Sequence, residues 1–124
     1  MFNRLTASCL LVQDLDKSLA FYRDILGLEV EIANKDFFVK FKMDSTPLML
    51  FDKEAAANVL FPKEHITQGG GVLLAFQVDD LQKACEELKS KGVEIFEGPK
   101  ANAWGQTVAY FKDLDGNVWE ISAK

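Results

Sequence analysis

The residue of greatest chemical interest in this sequence is Glu120, a carboxylate in the otherwise apolar run 118–121. Residues 113–117 precede it, and their Asp, Gly and Asn favour a tight turn between two strands. A carboxylate buried without a partner has a raised pKa and is able to act as an acid or base. Tyr110 on the preceding strand is predicted to face the same side of the sheet. We therefore take Glu120 and Tyr110 as candidate catalytic residues, with a carboxylate satisfied by a neighbouring donor as the structural alternative.

The cysteines and the histidine offer less chemistry. Cys9 and Cys85 lie in apolar patterns and are predicted to be reduced, buried thiols of a cytoplasmic protein. A cysteine nucleophile needs a base such as histidine beside it, and His65 is the one histidine in the sequence. A nucleophilic thiol is therefore not favoured, and the role of His65 stays open.

Composition and charge limit the classes of partner. The 124 residues are 48% hydrophobic and 27% charged, as in an ordinary globular domain. The formal net charge of −5 argues against nucleic acid or an anionic membrane as a partner. The sequence holds no apolar run of about 18 residues, and the apolar stretch 5–12 is too short for a signal peptide. We expect a cytoplasmic protein with a small-molecule ligand.

Hydrophobic periodicity predicts two βαβββ units. In the first, strands are predicted at residues 5–12, 28–33, 37–43 and 48–51, with a helix that begins after Asp14 and ends at Gly27. In the second, strands are predicted at residues 72–78, 93–96, 106–112 and 118–121, with a helix between Asp80 and Gly92 and a loop through Gly98 and Pro99. A short helix at 53–60 and a loop or short edge segment at 62–68 are predicted between the units.

The two units match each other in sequence. Residues 12–17 correspond to 78–83, residues 27–30 correspond to 92–95, and the Phe-Lys pair at 41–42 corresponds to the pair at 111–112. Three matched segments in the same order indicate an internal duplication. We expect one domain over residues 1–124, made of modules at about 4–52 and 71–123 joined by a linker at 53–70.

This tandem pattern resembles the vicinal oxygen chelate superfamily, which includes glyoxalase I, extradiol dioxygenases, and fosfomycin and bleomycin resistance proteins. The motifs that carry the resemblance are Val12-Gln13-Asp14, Phe21-Tyr22, Leu26-Gly27-Leu28, Trp104-Gly105 and the turn at 113–117. The resemblance implies an α+β fold in which tandem βαβββ modules form a curved mixed sheet, or partial barrel, around a cleft. It also implies that modules pair within one chain or across a homodimer.

The resemblance further implies where a metal would bind. Metal-dependent members use about four side chains on the first and last strands of each module, so that the ion acts as a Lewis acid on chelating oxygens. The matching positions here are Ala7, Leu73, either Met49 or Leu50, and Glu120. Only Glu120 offers an oxygen ligand. The sequence therefore predicts no metal site and no cofactor.

Strand alternation predicts which side chains line the cleft. Leu10, Val12, Leu74, Phe76, Val78, Phe111, Trp119 and Ile121 are predicted to pack under the helices. The predicted ligand-binding residues are Cys9, Phe38, Lys40, Met49, Phe51, Leu73, Ala75, Trp104, Tyr110 and Glu120. An aromatic and aliphatic cleft with few polar groups suits a flat or amphipathic small molecule.

Two functional hypotheses of different class follow. The first is a metal-free, dimeric binding protein that resembles the bleomycin resistance branch, which sequesters a planar cationic drug. The second is an enzyme, either a divergent glyoxalase-like lyase or isomerase, a dioxygenase-like enzyme, or a metal-free acid–base catalyst that uses Glu120 and Tyr110. A module that binds only other proteins is a third alternative.

Overall fold

The computed structural model describes residue 3 and residues 5–59, 61–65, 72–103 and 105–123. The chain divides into two compact units, residues 1–68 and 69–124. Each unit contains one four-stranded mixed sheet with a helix packed on one face.

The first unit has the order β1, α1, β2, β3, β4. The elements are β1 (Ser8–Val12), α1 (Leu15–Ala20) with a π-helical turn (Phe21–Ile25), β2 (Val30–Asn34), β3 (Phe38–Phe41) and β4 (Leu48–Asp52). The spatial order is β1-β4-β3-β2, with β1 parallel to β4 and the other pairs antiparallel. A short helix, α2 (Lys53–Ala56), and a 3-10 turn (Lys63–His65) follow.

The second unit repeats this topology. Its elements are β5 (Leu73–Val78), α3 (Leu81–Ser90), β6 (Glu97–Ala101), β7 (Thr107–Lys112) and β8 (Val118–Ala123). The spatial order is β5-β8-β7-β6, with β5 parallel to β8. The predicted α+β class and the tandem βαβββ pattern are confirmed.

The duplication extends to the geometry of the helix caps. Asp14 caps α1 with φ −132° and ψ 102°, and its side chain accepts a hydrogen bond of 3.0 Å from the amide of Lys17. Asp80 caps α3 with φ −133° and ψ 103°, and it accepts a bond of 3.0 Å from the amide of Lys83. Aspartate is a preferred N-cap because its carboxylate satisfies an amide that has no partner within the helix. The predicted starts of both helices are confirmed.

The helix-facing side of the first sheet is its core. Leu10, Val12, Val39, Phe41, Leu48 and Leu50 are buried there. The π-helical turn adds one residue to the helix, and the consecutive aromatic residues Phe21 and Tyr22 are both buried. Tyr22 packs against Phe21 and Phe41, with ring centroids 5.2 and 5.9 Å apart. Burial of these rings anchors α1 to the sheet.

The second sheet is buried in the same alternating way. Ala109, Phe111, Trp119 and Ile121 are buried on the helix-facing side of the sheet, as are Leu81, Cys85 and Leu88 on α3. Phe76 and Trp119 stack with ring centroids 4.4 Å apart and an interplanar angle of 8°. The side chains predicted to pack under the helices therefore lie on the predicted face in both sheets, although Leu74, Phe76 and Val78 are only half-buried.

The prediction of a strand at residues 93–96 is wrong. Val93 is buried directly after α3, and the strand that pairs with β7 begins at Glu97 and includes the cis peptide between Gly98 and Pro99. The sheet accepts a proline here because β6 is an edge strand, where one backbone N–H is not needed for the ladder. The Gly-Pro pair predicted as a loop is therefore part of a strand.

Two further sequence predictions need correction. The helix predicted at 53–60 ends at Ala56, and Asn58 then adopts a left-handed backbone with φ 64°. Cys9 is exposed rather than buried, because it lies on the face of β1 that points away from α1. Cys85 is buried as predicted.

The region between the units is described only in part. Residues 66–71 fall outside the described residues, so the predicted loop at 62–68 is seen only as far as the 3-10 turn Lys63–His65. Among the helices of the described residues, none has both the length and the apolar character needed to cross a membrane.

Candidate functional site

Glu120 lies on the sheet face of the second unit that points away from α3. On β8 it is flanked by Ala75 of the parallel strand β5 and by Tyr110 of the antiparallel strand β7. Directly opposed residues in neighbouring strands point to the same face. Leu73 and Val118 form the next pair along the same face. We call this surface the open face of the second unit.

Glu120 and Tyr110 form a hydrogen-bonded pair. The phenol of Tyr110 donates to Oε2 of Glu120, with 2.7 Å between the two oxygens. Both residues are half-buried. The hydrogen bond to the carboxylate, helped by desolvation and by the charges of Glu120 and Glu97, raises the pKa of Tyr110. Tyr110 is therefore a neighbouring donor for the Glu120 carboxylate, as expected if this carboxylate has a structural rather than a catalytic role.

A pocket of about 440 Å³ opens beside this pair. Its apolar lining consists of Val72, Leu73, Phe96 and Val118, and its polar lining consists of Glu97, Lys100 and Tyr110. The rings of Phe96 and Tyr110 lie 6.1 Å apart, and Lys112 Nζ lies 5.3 Å from the centre of the Phe96 ring. The aromatic wall of the pocket therefore carries a lysine ammonium against Phe96.

The bulge in β6 shapes the polar edge of this pocket. Glu97 pairs with Tyr110 and Lys100 pairs with Val108, so that β6 holds one extra residue between these two pairs. In a regular strand, residues three apart point to opposite faces, whereas a bulge redirects one of them. Glu97 and Lys100 accordingly both line the pocket and form an ion pair, with Nζ and Oε1 3.7 Å apart.

Gly98 is required at this bulge. Its φ is +89°, and a Cβ added there would lie 2.5 Å from the carbonyl oxygen of Val108. A side chain would therefore meet both an unfavourable backbone conformation and the backbone of β7.

The sequence predicted part of this site. Leu73 and Tyr110 line the pocket, and Ala75 and Glu120 lie on the same face. Phe96, Glu97 and Lys100 were missed as pocket residues because the strand that carries two of them was predicted as a loop. The signal available in the sequence was the Gly-Pro pair, which is typical of a bulge as well as of a loop.

The first unit brings the other predicted site residues together on its own open face. Met49 on β4 lies between Cys9 on β1 and Lys40 on β3, and Phe51 lies between Leu11 and Phe38. The rings of Phe38 and Phe51 are 5.8 Å apart. Lys40 Nζ lies 3.7 Å from Oε2 of Glu31. These residues share one face, as predicted; their role in ligand binding stays a prediction.

The remaining candidate residues add little. Trp104 lies outside the described residues. Burial raises the pKa of the Cys85 thiol, and partial desolvation by neighbouring residues raises the pKa of the Cys9 thiol although Cys9 is exposed by surface area. A raised pKa disfavours the thiolate needed for nucleophilic attack. His65 is exposed in the 3-10 turn.

A polar pocket of about 270 Å³ also occurs in the first unit, beside the ends of β1 and β4. Asp14, Asp16, Asp36 and Asp52 contribute to its lining. Asp14 caps α1, and Asp52 caps α2 through a 2.9 Å hydrogen bond from the Ala55 amide. Two of these carboxylates therefore have structural roles.

The register identifies the residue of the first unit that corresponds to Glu120. Cys9 and Ala75 are equivalent in the repeat, and their neighbours on the adjacent strand are Met49 and Glu120. Met49 is therefore the counterpart of Glu120, whereas Leu50 is buried on the helix side.

The side chains at the family's metal positions do not fit a catalytic divalent ion. Ala7 and Leu73 have no donor atom, Met49 offers a soft thioether, and Glu120 offers one carboxylate that already accepts a hydrogen bond. Within the described ranges, no group of three or more His, Cys, Asp or Glu side chains is able to hold a metal ion.

The family model of the Glyoxalase/Bleomycin resistance protein/Dioxygenase superfamily matches residues 2–121. The chain belongs to this superfamily. Several known proteins resemble it over most of their length. The uncharacterized protein YraH of Bacillus subtilis is 33% identical over 117 residues, which cover 90% of this chain and 91% of YraH. A probable lactoylglutathione lyase of Synechocystis sp. is 32% identical over 119 residues, covering 89% and 87% of the two chains.

The fold agrees with this membership of the superfamily. The crystal structure of lactoylglutathione lyase from Agrobacterium tumefaciens superimposes with a TM-score of 0.79 and 27% identity, covering 97% of this chain and 92% of that one. The proteins similar to this chain thus include some named as lactoylglutathione lyases and some named as uncharacterized. The chemistry of this chain has to be inferred from its own site.

Proposed function

We propose that this protein binds a small, amphipathic or planar molecule in the pocket on the open face of the second unit, and that it does so without a metal. The observation that carries the proposal is the combination of Phe96 and Tyr110 with the apolar side chains Leu73 and Val118 around one pocket. Its volume of about 440 Å³ falls in the range of small-molecule sites.

The aromatic side chains supply the main contact surface in this proposal. Phe96 is 47% exposed, and an exposed ring stabilises a flat ligand by stacking and by removing apolar surface from water. Lys112 lies against the Phe96 ring and Tyr110 lies beside it. A ring that is held by such neighbours loses less entropy when a ligand binds than a freely moving ring does.

The Tyr110–Glu120 pair supplies the polar contact. A carboxylate has about four acceptor positions, and the phenol uses one of them. The remaining acceptor positions of Glu120 lie beside Tyr110, on the same sheet face as the pocket, and accept from a hydrogen-bond donor on the ligand in this proposal. The ligand-binding roles of Cys9, Phe38, Lys40, Met49, Phe51 and Ala75 are part of the same proposal, as are a cytoplasmic location and a homodimer.

Calorimetric titration of EDTA-treated protein with a planar aromatic probe tests this function. The probes are proflavine, which is cationic near neutral pH, and acridine, which is neutral and has the same ring system. We expect binding of at least one of them without added metal. Phe96→Ala is expected to weaken that binding about tenfold, since truncation of an aromatic anchor costs more than about 1 kcal/mol.

Phe61→Ala is the matched control, because Phe61 is also exposed, at 39%, and is not among the residues of the pocket. It is expected to leave the affinity unchanged. Equal losses in the two variants, or binding only after zinc or nickel is added, would contradict the proposal.

Acid–base catalysis by Glu120 is the second candidate function. The observation that favours it is the 2.7 Å contact with Tyr110, together with the similarity to relatives named lactoylglutathione lyase. The test is formation of lactoylglutathione by EDTA-treated protein from methylglyoxal and glutathione. Turnover by the unmodified protein and by Phe61→Ala, but not by Glu120→Gln, would establish an enzyme. If the unmodified protein shows no turnover, binding remains the function.

A further inference from the structure

The charges around the pocket of the second unit are balanced. Glu97 and Lys100 line the pocket, Glu120 is hydrogen-bonded to Tyr110 in its wall, and Lys112 lies over Phe96. Glu97 and Lys100 therefore place one charge of each sign in the pocket lining, and Glu120 and Lys112 each lie next to a lining residue. The sequence as a whole has a net charge of −5, so the balance is a local property of this pocket.

The bulge of β6 places charged groups of both signs at the pocket. It turns both Glu97 and Lys100 toward the pocket, although residues three apart in a regular strand face opposite sides. Gly98 makes the bulge possible, because any side chain there would meet the carbonyl oxygen of Val108. A positive and a negative group thus stand side by side at the edge of an otherwise largely apolar pocket.

The Glu97–Lys100 pair is weak in the free protein. The distance of 3.7 Å between Nζ and Oε1 exceeds that of a charge-assisted hydrogen bond. The two side chains are 52% and 50% exposed, and exposed ion pairs contribute little to stability. Both charged groups are therefore available to a ligand at little cost.

We propose that the ligand of this pocket is a zwitterion with an aromatic or apolar body, such as an aromatic amino acid or a related amino carboxylate. Lys100 binds its carboxylate, Glu97 binds its ammonium group, and Phe96 stacks on its body. This assignment rests on the proposed binding function and specifies the class of ligand for the same pocket.

Ligands with a single charge fit this arrangement less well. A cation brings its charge close to Lys100 and leaves that ammonium without a partner, and an anion does the same to Glu97. Unfavourable charge contacts of this kind determine specificity more than total affinity. A zwitterion replaces the protein's own ion pair with two contacts of opposite sign.

Three indole compounds test the assignment because they share one ring and differ in charge. They are L-tryptophan, tryptamine, which lacks the carboxylate, and indole-3-propionate, which lacks the ammonium group. Calorimetric titration of EDTA-treated protein is expected to show that L-tryptophan binds several-fold more tightly than either analogue, because each analogue lacks one of the two charged contacts.

Two substitutions assign the contacts. Lys100→Gln is expected to remove the preference for L-tryptophan over tryptamine. Glu97→Gln is expected to remove the preference for L-tryptophan over indole-3-propionate. Lys91→Gln is the matched control, since Lys91, directly after α3, forms a comparable exposed pair with Glu87 at 3.4 Å. It should leave all three affinities unchanged, and thermal unfolding checks that every variant is folded.

The outcomes separate this assignment from the binding function itself. Tryptamine or indole-3-propionate binding as tightly as L-tryptophan would overturn the zwitterion assignment and leave the pocket as a binding site. Preferences that survive both Lys100→Gln and Glu97→Gln would also overturn it. Absence of binding by the indoles, proflavine and acridine alike would overturn both proposals.

Discussion

Tyr110 and Glu120 face each other across β7 and β8, and the carboxylate of Glu120 affects how the phenol of Tyr110 ionises. The phenol donates to the carboxylate over 2.7 Å, so removal of the phenolic proton would place two negative charges side by side. The pKa of Tyr110 is raised for this reason. Near neutral pH the pair therefore consists of a neutral phenol and an acceptor, which suits recognition of a ligand donor better than proton donation by Tyr110.

The first prediction concerns the ionisation of Tyr110. Glu120→Gln is expected to move its titration down toward the ordinary tyrosine pKa of about 10, because an amide neither repels phenolate nor accepts as strong a hydrogen bond. Carbon-13 NMR of labelled tyrosine follows the titration, and Tyr22→Phe assigns the signal, since the sequence holds two tyrosines. An unchanged titration would contradict the hydrogen bond.

The same shift predicts the direction of a pH effect on stability. A pKa that is higher in the folded state than in the unfolded state stabilises the fold below the unfolded value, and this stabilisation is lost as pH rises through the folded value. In urea unfolding, the stability of the unmodified protein is expected to fall more steeply above about pH 10 than the stability of Tyr110→Phe, which has no phenol to ionise at this position. Equal pH slopes in the two proteins would count against the raised pKa.

Alternation along the strands was enough to place Tyr110 and Glu120 on one face from the sequence. Their pairing was not predicted, because it depends on the register of β7 against β8, which strand alternation alone does not determine. For the same reason, the sequence left Met49 and Leu50 as alternatives for the position in the first unit that corresponds to Glu120. The pairing of Met49 with Cys9 identified Met49 as that counterpart.

The edge strand β6 is the element that distinguishes this pocket. Its bulge positions Glu97 and Lys100, and its proline is accepted because no further strand pairs with this edge in the described sheet. Pattern reasoning predicted a strand too early and a loop through the Gly-Pro pair. The apolar residues at 93–96 resemble a strand, but Val93 is buried immediately after the helix. Whether such an apolar segment forms a strand depends on its tertiary packing, which the local sequence pattern does not determine.

The second prediction tests the role of the bulge. Gly98→Ala is expected to destabilise the protein by at least about 1 kcal/mol more than Gly27→Ala, and to weaken ligand binding. Both glycines have positive φ, +89° and +78°, but a Cβ would meet backbone only at Gly98. Urea unfolding gives the stabilities. Similar losses in the two variants would show that the contact with Val108 is relieved without cost.

The third prediction concerns the caps of α1 and α3. Asp14→Ala and Asp80→Ala are each expected to cost about 1 kcal/mol, because each removes the acceptor for one otherwise unsatisfied amide. Asn is also a good N-cap, so Asp14→Asn and Asp80→Asn should remain close to the unmodified protein. Thermal or urea unfolding measures all four. Equal losses in the Ala and Asn variants would contradict a capping role.

The chain as a whole is two copies of one βαβββ pattern with different side chains on their open faces. The first copy presents the Met49, Cys9 and Lys40 row and the Phe51 and Phe38 pair, whereas the second presents the Glu120–Tyr110 pair and the pocket. The helix-facing sides stayed similar, as Phe41 and Phe111 show. Both are matched in the sequence and both are almost fully buried.

This division explains how much of the fold the sequence predicted. Helix caps, glycine ends and buried alternating residues are local signals that recur in both copies, and they predicted the topology. The pocket was predicted only in part, because it arises from a bulge and from side-chain contacts that differ between the copies.

The fourth prediction follows from the matched cores. Phe41→Ala and Phe111→Ala are each expected to destabilise the protein by about 3–5 kcal/mol, since each leaves a cavity under a helix. The exposed Phe61 is the control, and Phe61→Ala should change stability by less than about 0.5 kcal/mol. Urea unfolding checks this, and a small effect at Phe111 would show that its burial contributes little.

The most direct test of metal-independent binding is an NMR titration of EDTA-treated, isotope-labelled protein with L-tryptophan and with proflavine. We predict that a ligand shifts the amide signals around Phe96, Tyr110 and Val118, and that the shifts saturate without added metal. No shifts in this region, or shifts that occur only after zinc or nickel is restored, would contradict the account.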